Sequence, residues 1–234
     1  MRTRPNRRRA LLRAAGFGLV FVVPVAVLAY LVRAQSDVVV ERDHDAIRAA
    51  TDWTRAHPVA HDVLLVWQEV FNVRWVALAG LLTCAWFGWR HHGLRTRALW
   101  AAGTIAGAWG LQLVVKTLVG RARPVVEDAV AHAPGSSFPS GHATQITATT
   151  VTLTLLVWPL LGPRGRVVVP VVAGVLVVLT GLDRVLLGVH FPSDVVAGVL
   201  LGGGLAGASY VGYRGWNPLP TVDPDPPRGS VNRP

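Results

Sequence analysis

"VVVPVVAGVLVVLTGLDRVLLGVHFPSDVVAGVLLGGGLAGASYVGY", residues 167–213, decides the fold. Its two apolar runs, 167–187 and 193–213, each approach the roughly 20 residues a helix needs to cross a bilayer. The runs are continuous rather than alternating, which selects helices over the strands of a barrel. Around their junction stand Asp183, Arg184, His190 and Asp194, and Pro192 stops one helix from running into the next. Ionisable groups at the edge of a bilayer are costly, so a cluster of them marks function.

Four further stretches of comparable character lie upstream, at about 14–32, 71–89, 98–119 and 142–161. Arg74 and Lys116 sit within or at the ends of two of them. The 234-residue chain is 51% hydrophobic and 15% charged, where a soluble domain carries about a quarter charged residues. Its mean hydropathy is +0.41. The expected fold class is all-α: a polytopic membrane protein built as a six-transmembrane-helix bundle. A soluble protein with buried helices does not account for so many long apolar runs.

The formal net charge of +10 does not point to nucleic acid, because the arginines gather at span ends. Arg2, Arg4, Arg7, Arg8, Arg9 and Arg13 precede the first span, and Arg90, Arg95 and Arg97 follow the second. Arg164 and Arg166 follow the fourth span, and Arg214, Arg228 and Arg233 the sixth. The other connections hold the acids, from Asp37 to Asp62 in one and Glu127 and Asp128 in the next. This asymmetry orients both termini to the cytoplasm of a plasma-membrane protein, with 34–70, 120–141 and 183–193 outward. The expected domains are a basic N-terminus (1–13), the membrane unit (14–213) and a disordered tail (214–234), with an outer segment (34–70) of short interfacial helices. Val32-Arg33-Ala34 resembles a cleavage site, but the apolar core before it exceeds that of a signal peptide, so an uncleaved first helix is expected. Cys84 is the single cysteine, which leaves no disulfide framework.

Three constellations fall on the outward connections. "KTLVGRARP" holds Lys116, Arg121 and Arg123, and Lys116 is the one lysine of the sequence. "FPSGH" reads as a turn feeding a helix, with Ser140 as N-cap and Gly141 leaving room for an anion at the exposed N–H groups before His142. In the third, Arg184 offers a fork to phosphate oxygens. Asp194, in a first helical turn opened by Pro192, can accept from His190 and orient its ring as general base or nucleophile. Singly, a snorkelling lysine, a capped helix and an interfacial histidine explain these residues. Together they assemble three cations, a helix start, two histidines and a carboxylate, an inventory suited to a phosphoryl transition state. No carboxylate cluster is present to hold magnesium, so neither metal nor cofactor is expected; Glu127 and Asp128 read as solvated charges.

At these residues the sequence resembles the type 2 phosphatidic acid phosphatase (PAP2) family, over about residues 70–213. The family pattern is met by Lys116 with Arg123-Pro124, by Pro139-Ser140-Gly141-His142, and by Arg184, His190 and Asp194. One position departs: Asp183 stands where the family has serine. The resemblance implies a membrane lipid phosphatase with an extracytoplasmic site and a phosphohistidine formed on His190, which Asp194 holds. His142 would protonate the leaving group and then activate water. Lys116, Ser140, Gly141, Arg123 and Arg184 would hold the phosphoryl oxygens, with Arg121 nearby and unassigned. Candidate substrates are undecaprenyl or decaprenyl diphosphate, phosphatidic acid and phosphatidylglycerol phosphate. The arginine-, alanine- and valine-rich usage of a high-GC bacterium tilts toward the first. The competing readings are an anion or lipid-phosphate transporter, which leaves the His190–Asp194 pairing without a reason, and a vanadate-dependent haloperoxidase, which is larger and soluble. The expected partners are the lipid-phosphate substrate and the bilayer, and nucleic acid is not among them.

Reporter fusions after residues 97 and 130 should read cytoplasmic and extracytoplasmic respectively; the reverse pattern overturns the orientation.

Overall fold

The computed structural model describes residues 7–125 and 135–216. Eight α-helices account for most of them, and no strand occurs among the described residues. They are α1 (Arg7–Arg33), α2 (Asp37–Ala56), α3 (Pro58–Val70), α4 (Val73–Arg90), α5 (Arg95–Val119), α6 (Gly141–Val157), α7 (Gly165–Leu186) and α8 (Pro192–Trp216). Each of the six apolar stretches falls on a helix. Four helical stretches are long and apolar enough to cross a membrane, Arg7–Arg33, His92–Val119, Gly165–Leu186 and Pro192–Trp216, and α3 with α4, bent by 47°, makes a fifth if counted as one span. The remaining stretch, α6, is a helix of 17 residues closed by a 3₁₀ turn at Trp158–Leu160.

The surface agrees with an apolar solvent. Val168, Val171, Val175, Val178 and Leu182 of α7 are exposed, as are Leu19, Val20, Val23 and Val27 of α1. Continuous exposure on this scale is the mark of a lipid-facing belt. The chain is a membrane protein.

The interior is organised around α6 and α8. Helix α6 is the most enclosed, with ten buried residues that include Thr144, Gln145, Thr147, Thr149 and Thr152. Such polar residues fit a helix wrapped by protein rather than lipid: Thr144 Oγ1 donates to the Ser140 carbonyl at 2.8 Å, and Gln145 Nε2 donates to the Ile105 carbonyl of α5 at 3.3 Å. Helix α8 approaches α6 through Gly198 and Gly202. A Cβ at Gly198 would stand 2.7 Å from the Ser140 carbonyl oxygen, and one at Gly202 would collide with the Thr144 carbonyl oxygen. On its other side α8 receives Phe21 and Phe17 of α1 against Gly204 and Gly207. Small residues at these positions let three helices close on one another where hydrophobic driving force is weak.

The outer segment, expected as short interfacial helices, forms α2 and α3, and α2 is 20 residues long. Asp43, Ile47, Thr51 and Thr54 fall on one face at helical spacing and are buried. Thr54 Oγ1 donates to the Leu186 carbonyl at 2.8 Å, and Trp67 Nε1 to Thr180 Oγ1 at 3.3 Å. The segment therefore packs across the end of α7.

The helices also overrun two expected boundaries. Helix α1 begins at Arg7 inside the basic N-terminus, and α8 continues to Trp216, past residue 213. The Arg7 guanidinium lies 5.4 Å from the Trp216 ring centroid, so each end lengthens against the other. Arg2, Arg4, Glu127, Asp128, Arg228, Arg233 and the tail from Asn217 lie outside the described residues.

Gly202→Ala should cost about 1–3 kcal/mol of stability, because the added methyl meets backbone. Gly174→Ala, with nothing within 4 Å of a built Cβ, should be neutral or better. Thermal unfolding in detergent compares the two, and equal melting temperatures would deny the α6–α8 seam its role.

Candidate active site

Four helix ends meet where the three motifs lie. Helix α5 ends there and carries Lys116 in its last turn; Gly120, at φ 63°, caps it in the left-handed region. Helix α7 also ends there, with Arg184 in its last turn. Basic residues suit these ends, which present unpaired carbonyls. Helices α6 and α8 begin at the same place, capped by Ser140 and opened by Pro192. Ser140 Oγ accepts from the Ala143 amide at a long 3.4 Å. The Ser140 amide donates to the Asp194 carbonyl at 2.9 Å, joining the second motif to the third. The Val189 and His190 amides both donate to the Arg184 carbonyl, each at 3.2 Å, which folds the α7–α8 turn back on itself.

The cations are held from below. Lys116 Nζ donates to the Ser136 carbonyl at 2.6 Å. Arg123 donates to the Gly135 carbonyl at 3.0 Å and to the Val189 carbonyl at 2.7 Å. Its Nη1 also stands 3.3 Å from His190 Nε2. Burial lowers the affinity of Arg123 for its proton, Asp194 opposes that shift, and Arg184 adds to it. His142 interacts electrostatically with Arg184, His190, Lys116 and Arg123, so the structure brings the predicted charged side chains together. Among the described residues, the buried His142 Nε2 has no hydrogen-bond partner.

His190 is 3% exposed. Burial pushes its imidazole down to about 4 against the upward pull of Asp194, with Arg123 and Lys116 adding repulsion. The ring is thus neutral at pH 7 and holds a nitrogen lone pair. Its expected bond to Asp194 is looser than the sequence implied: Nδ1 lies 3.5 Å from Asp194 Oδ2, beyond the usual 2.7–3.2 Å. Asp194 is instead anchored by others, since Oδ2 accepts from the Phe191 amide at 2.9 Å and Oδ1 from Arg121 at 2.7 Å. Catalytic contacts of this kind commonly tighten only with substrate present.

Three features were not legible in the motifs. Asp183 does not stand apart beside the pocket; its Oδ2 accepts from Nε of Arg184 at 2.8 Å and from Nη2 of the same side chain. Gln68, on α3, accepts from Arg184 Nη1 at 2.8 Å. The third is Arg121, which reaches Asp43 on α2 as well as Asp194. An apolar cavity of about 600 Å³, lined by Trp53, Val59, Val63, Leu64 and Leu186, opens between α2, α3 and the end of α7.

Comparison with known proteins follows the same residues. The chain is 40% identical over 98 residues to decaprenylphosphoryl-5-phosphoribose phosphatase of Mycobacterium tuberculosis, covering 41% of this chain and 49% of that one. It is 37% identical over 99 residues to lipid A 1-phosphatase of Rhizobium etli, covering 38% and 39%. The chain spans less than half the length of these relatives. The fold matches the crystal structure of a transmembrane PAP2-type phosphatidylglycerolphosphate phosphatase from Bacillus subtilis with a TM-score of 0.70, at 24% identity, covering 84% of this chain and 94% of that one. The PAP2 superfamily model matches residues 97–218, half of the sequence and all three motifs. The chain belongs to the PAP2 superfamily.

Proposed function

We propose that the protein is an integral membrane lipid phosphatase that removes a terminal phosphate from a lipid-linked phosphate or polyprenyl diphosphate. The observation that carries this reading is the convergence of Lys116, Arg123 and Arg184 on two histidines, the half-buried His142 and the buried His190, which faces a carboxylate. Fixed cations offset the charge of a phosphoryl group without a metal ion.

In this mechanism His190 Nε2 attacks phosphorus, because Nδ1 is the nitrogen turned toward Asp194. The Nε2 lone pair forms the N–P bond as the P–O bond to the lipid breaks. Protonated His142 gives its proton to the departing oxygen. The phosphoimidazolium carries positive charge, and Asp194 stabilises it. The now-neutral His142 takes a proton from water, whose oxygen attacks phosphorus, breaks the N–P bond and releases phosphate. Lys116, Arg123 and Arg184 neutralise the equatorial oxygens, and the Gly141 amide with Ser140 adds donors at the start of α6. The Asp183–Arg184 pair reduces the positive charge of the site, which favours substrates whose phosphate is held by geometry as well as charge.

The six-span arrangement, with α6 as its protein-enclosed member, belongs to this proposal, as do the extracytoplasmic site and cytoplasmic termini. The apolar cavity beside the end of α7 supports a lipid substrate, since Leu186, which lines it, is two residues along α7 from Arg184. The names of the relatives point the same way: their phosphates ride on a glycolipid and on a polyprenyl sugar.

Hydrolysis should survive EDTA and be blocked by vanadate, which mimics five-coordinate phosphorus; loss in EDTA with recovery in magnesium would sink the metal-free mechanism. His190→Ala should reduce turnover to background, and rapid quench of the wild type with labelled substrate should trap an acid-labile phosphohistidine that the variant lacks. His142→Ala should lose about 10²–10⁴-fold on an alkyl ester, and much less on p-nitrophenyl phosphate, whose leaving group needs little protonation. Wild-type phosphate release by both variants would turn the reading toward transport.

A further inference from the structure

Asp43 belongs to no catalytic motif and comes from the outer helix α2, yet it is 4% exposed and sits under the active site. Its Oδ1 accepts from the Ser193 amide at 3.1 Å, and its Oδ2 from Arg121 Nη2 at 2.8 Å. The Ser193 hydroxyl donates to the same Oδ2. Arg121 Nη1 donates in turn to Ser193 Oγ at 2.8 Å and to Asp194 Oδ1 at 2.7 Å. The Arg121 guanidinium also covers the Phe191 ring, 4.0 Å from its centroid. A carboxylate borrowed from another helix thus accepts from an amide in the first turn of α8, the turn that carries Asp194.

A buried ion pair is weak grounds for stability, since desolvation offsets most of its attraction. The placement of the charges says more. Arg121 paired with Asp194 alone would cancel the negative charge that faces His190. With Asp43 on its other Nη nitrogen, the three side chains together keep one net negative charge at that spot. We propose that Asp43 is a positioning residue. Through Arg121 and Ser193 it fixes the Asp194 carboxylate opposite His190, and it keeps that carboxylate electrostatically available to the phosphohistidine. The proposal rests on the phosphohistidine reading above and extends it to α2, which thereby couples the outer segment to the chemistry.

The test uses the full chain in detergent with ³²P-labelled dioctanoyl phosphatidate, a short-chain lipid phosphate. Asp43→Asn keeps the shape and removes the charge. The rate of phosphoenzyme formation should fall roughly ten- to a hundredfold, the size of one charge-assisted contact. KM should stay close to wild type, because Asp43 touches none of Lys116, Arg123 or Arg184. Arg121→Lys, which keeps the charge but cannot fork to both carboxylates, should show the same split. In Asp43→Asn/Arg121→Gln the cation that over-neutralises Asp194 is gone, so the loss should be smaller than the two single losses combined.

Burst amplitude and burst rate separate positioning from folding. A merely structural role lowers the fraction of active sites and the melting temperature while the rate per active site stays at the wild-type value. That result overturns the proposal, as does a raised KM at unchanged rate. If Asp43→Asn does not fold, Ser193→Ala carries the test by cutting the hydroxyl link and leaving both charges. Slower phosphorylation at constant KM is expected, and a wild-type rate refutes the relay. A wild type that forms no phosphohistidine brings down the catalytic reading itself, whereas a labelled wild type with an indistinguishable Asp43→Asn brings down only the role of Asp43.

Discussion

The hydrogen bond from the Ser140 amide to the Asp194 carbonyl ties together the starts of two helices that both begin at the candidate site. It can form only if α6 and α8 lie in backbone contact over their first turns, and every glycine on that seam serves this closeness. A methyl group at Gly198 would stand against the carbonyl of Ser140, the same residue whose amide makes the bond. Packing and chemistry are therefore the same constraint here. The separation that the seam fixes is the separation between the His142 and His190 motifs, and helix α1, pressed on the far side of α8 by Phe17 and Phe21, holds the seam shut.

Charge is managed by the same economy of position. Lys116 and Arg123 donate to the carbonyl groups of Ser136, Gly135 and Val189, and Arg121 and Arg184 each have carboxylate company. The cationic heads are therefore oriented by bonds within the protein itself. The carboxylates also moderate the positive charge that the cations concentrate there.

Much of this was legible in the sequence because the family motifs are local and fixed in spacing. Lys116 and Arg123 bracket one helix end, Ser140 and His142 one helix start, and Arg184, His190 and Asp194 one turn. Charge asymmetry grouped the three on one face before any fold was known. The partners that come from far along the chain were not legible. Asp43 and Arg121 are 78 residues apart, and Gln68 is 116 from Arg184. Asp43 did carry a signal, since it falls in helical register with Ile47, Thr51 and Thr54, the buried face of α2. The Gly198–Gly202 pair was likewise present as a small-residue spacing, masked by an apolar run that reads equally well without it. Hydropathy found α6, but its threonines show that its neighbours are protein, and no apolar count distinguishes a helix inside a bundle from one in lipid.

Lys116 has a consequence for labelling chemistry. It is the only side-chain amine in the sequence, it is partly accessible, and its head is held against Ser136 at the heart of the site. Reagents directed at primary amines, which scatter over most proteins, meet a single side-chain target here. An isotopic or fluorescent tag placed on that nitrogen would therefore report from the candidate site itself, and competition by an anion for the same amine would be readable as protection, without any substitution in the protein.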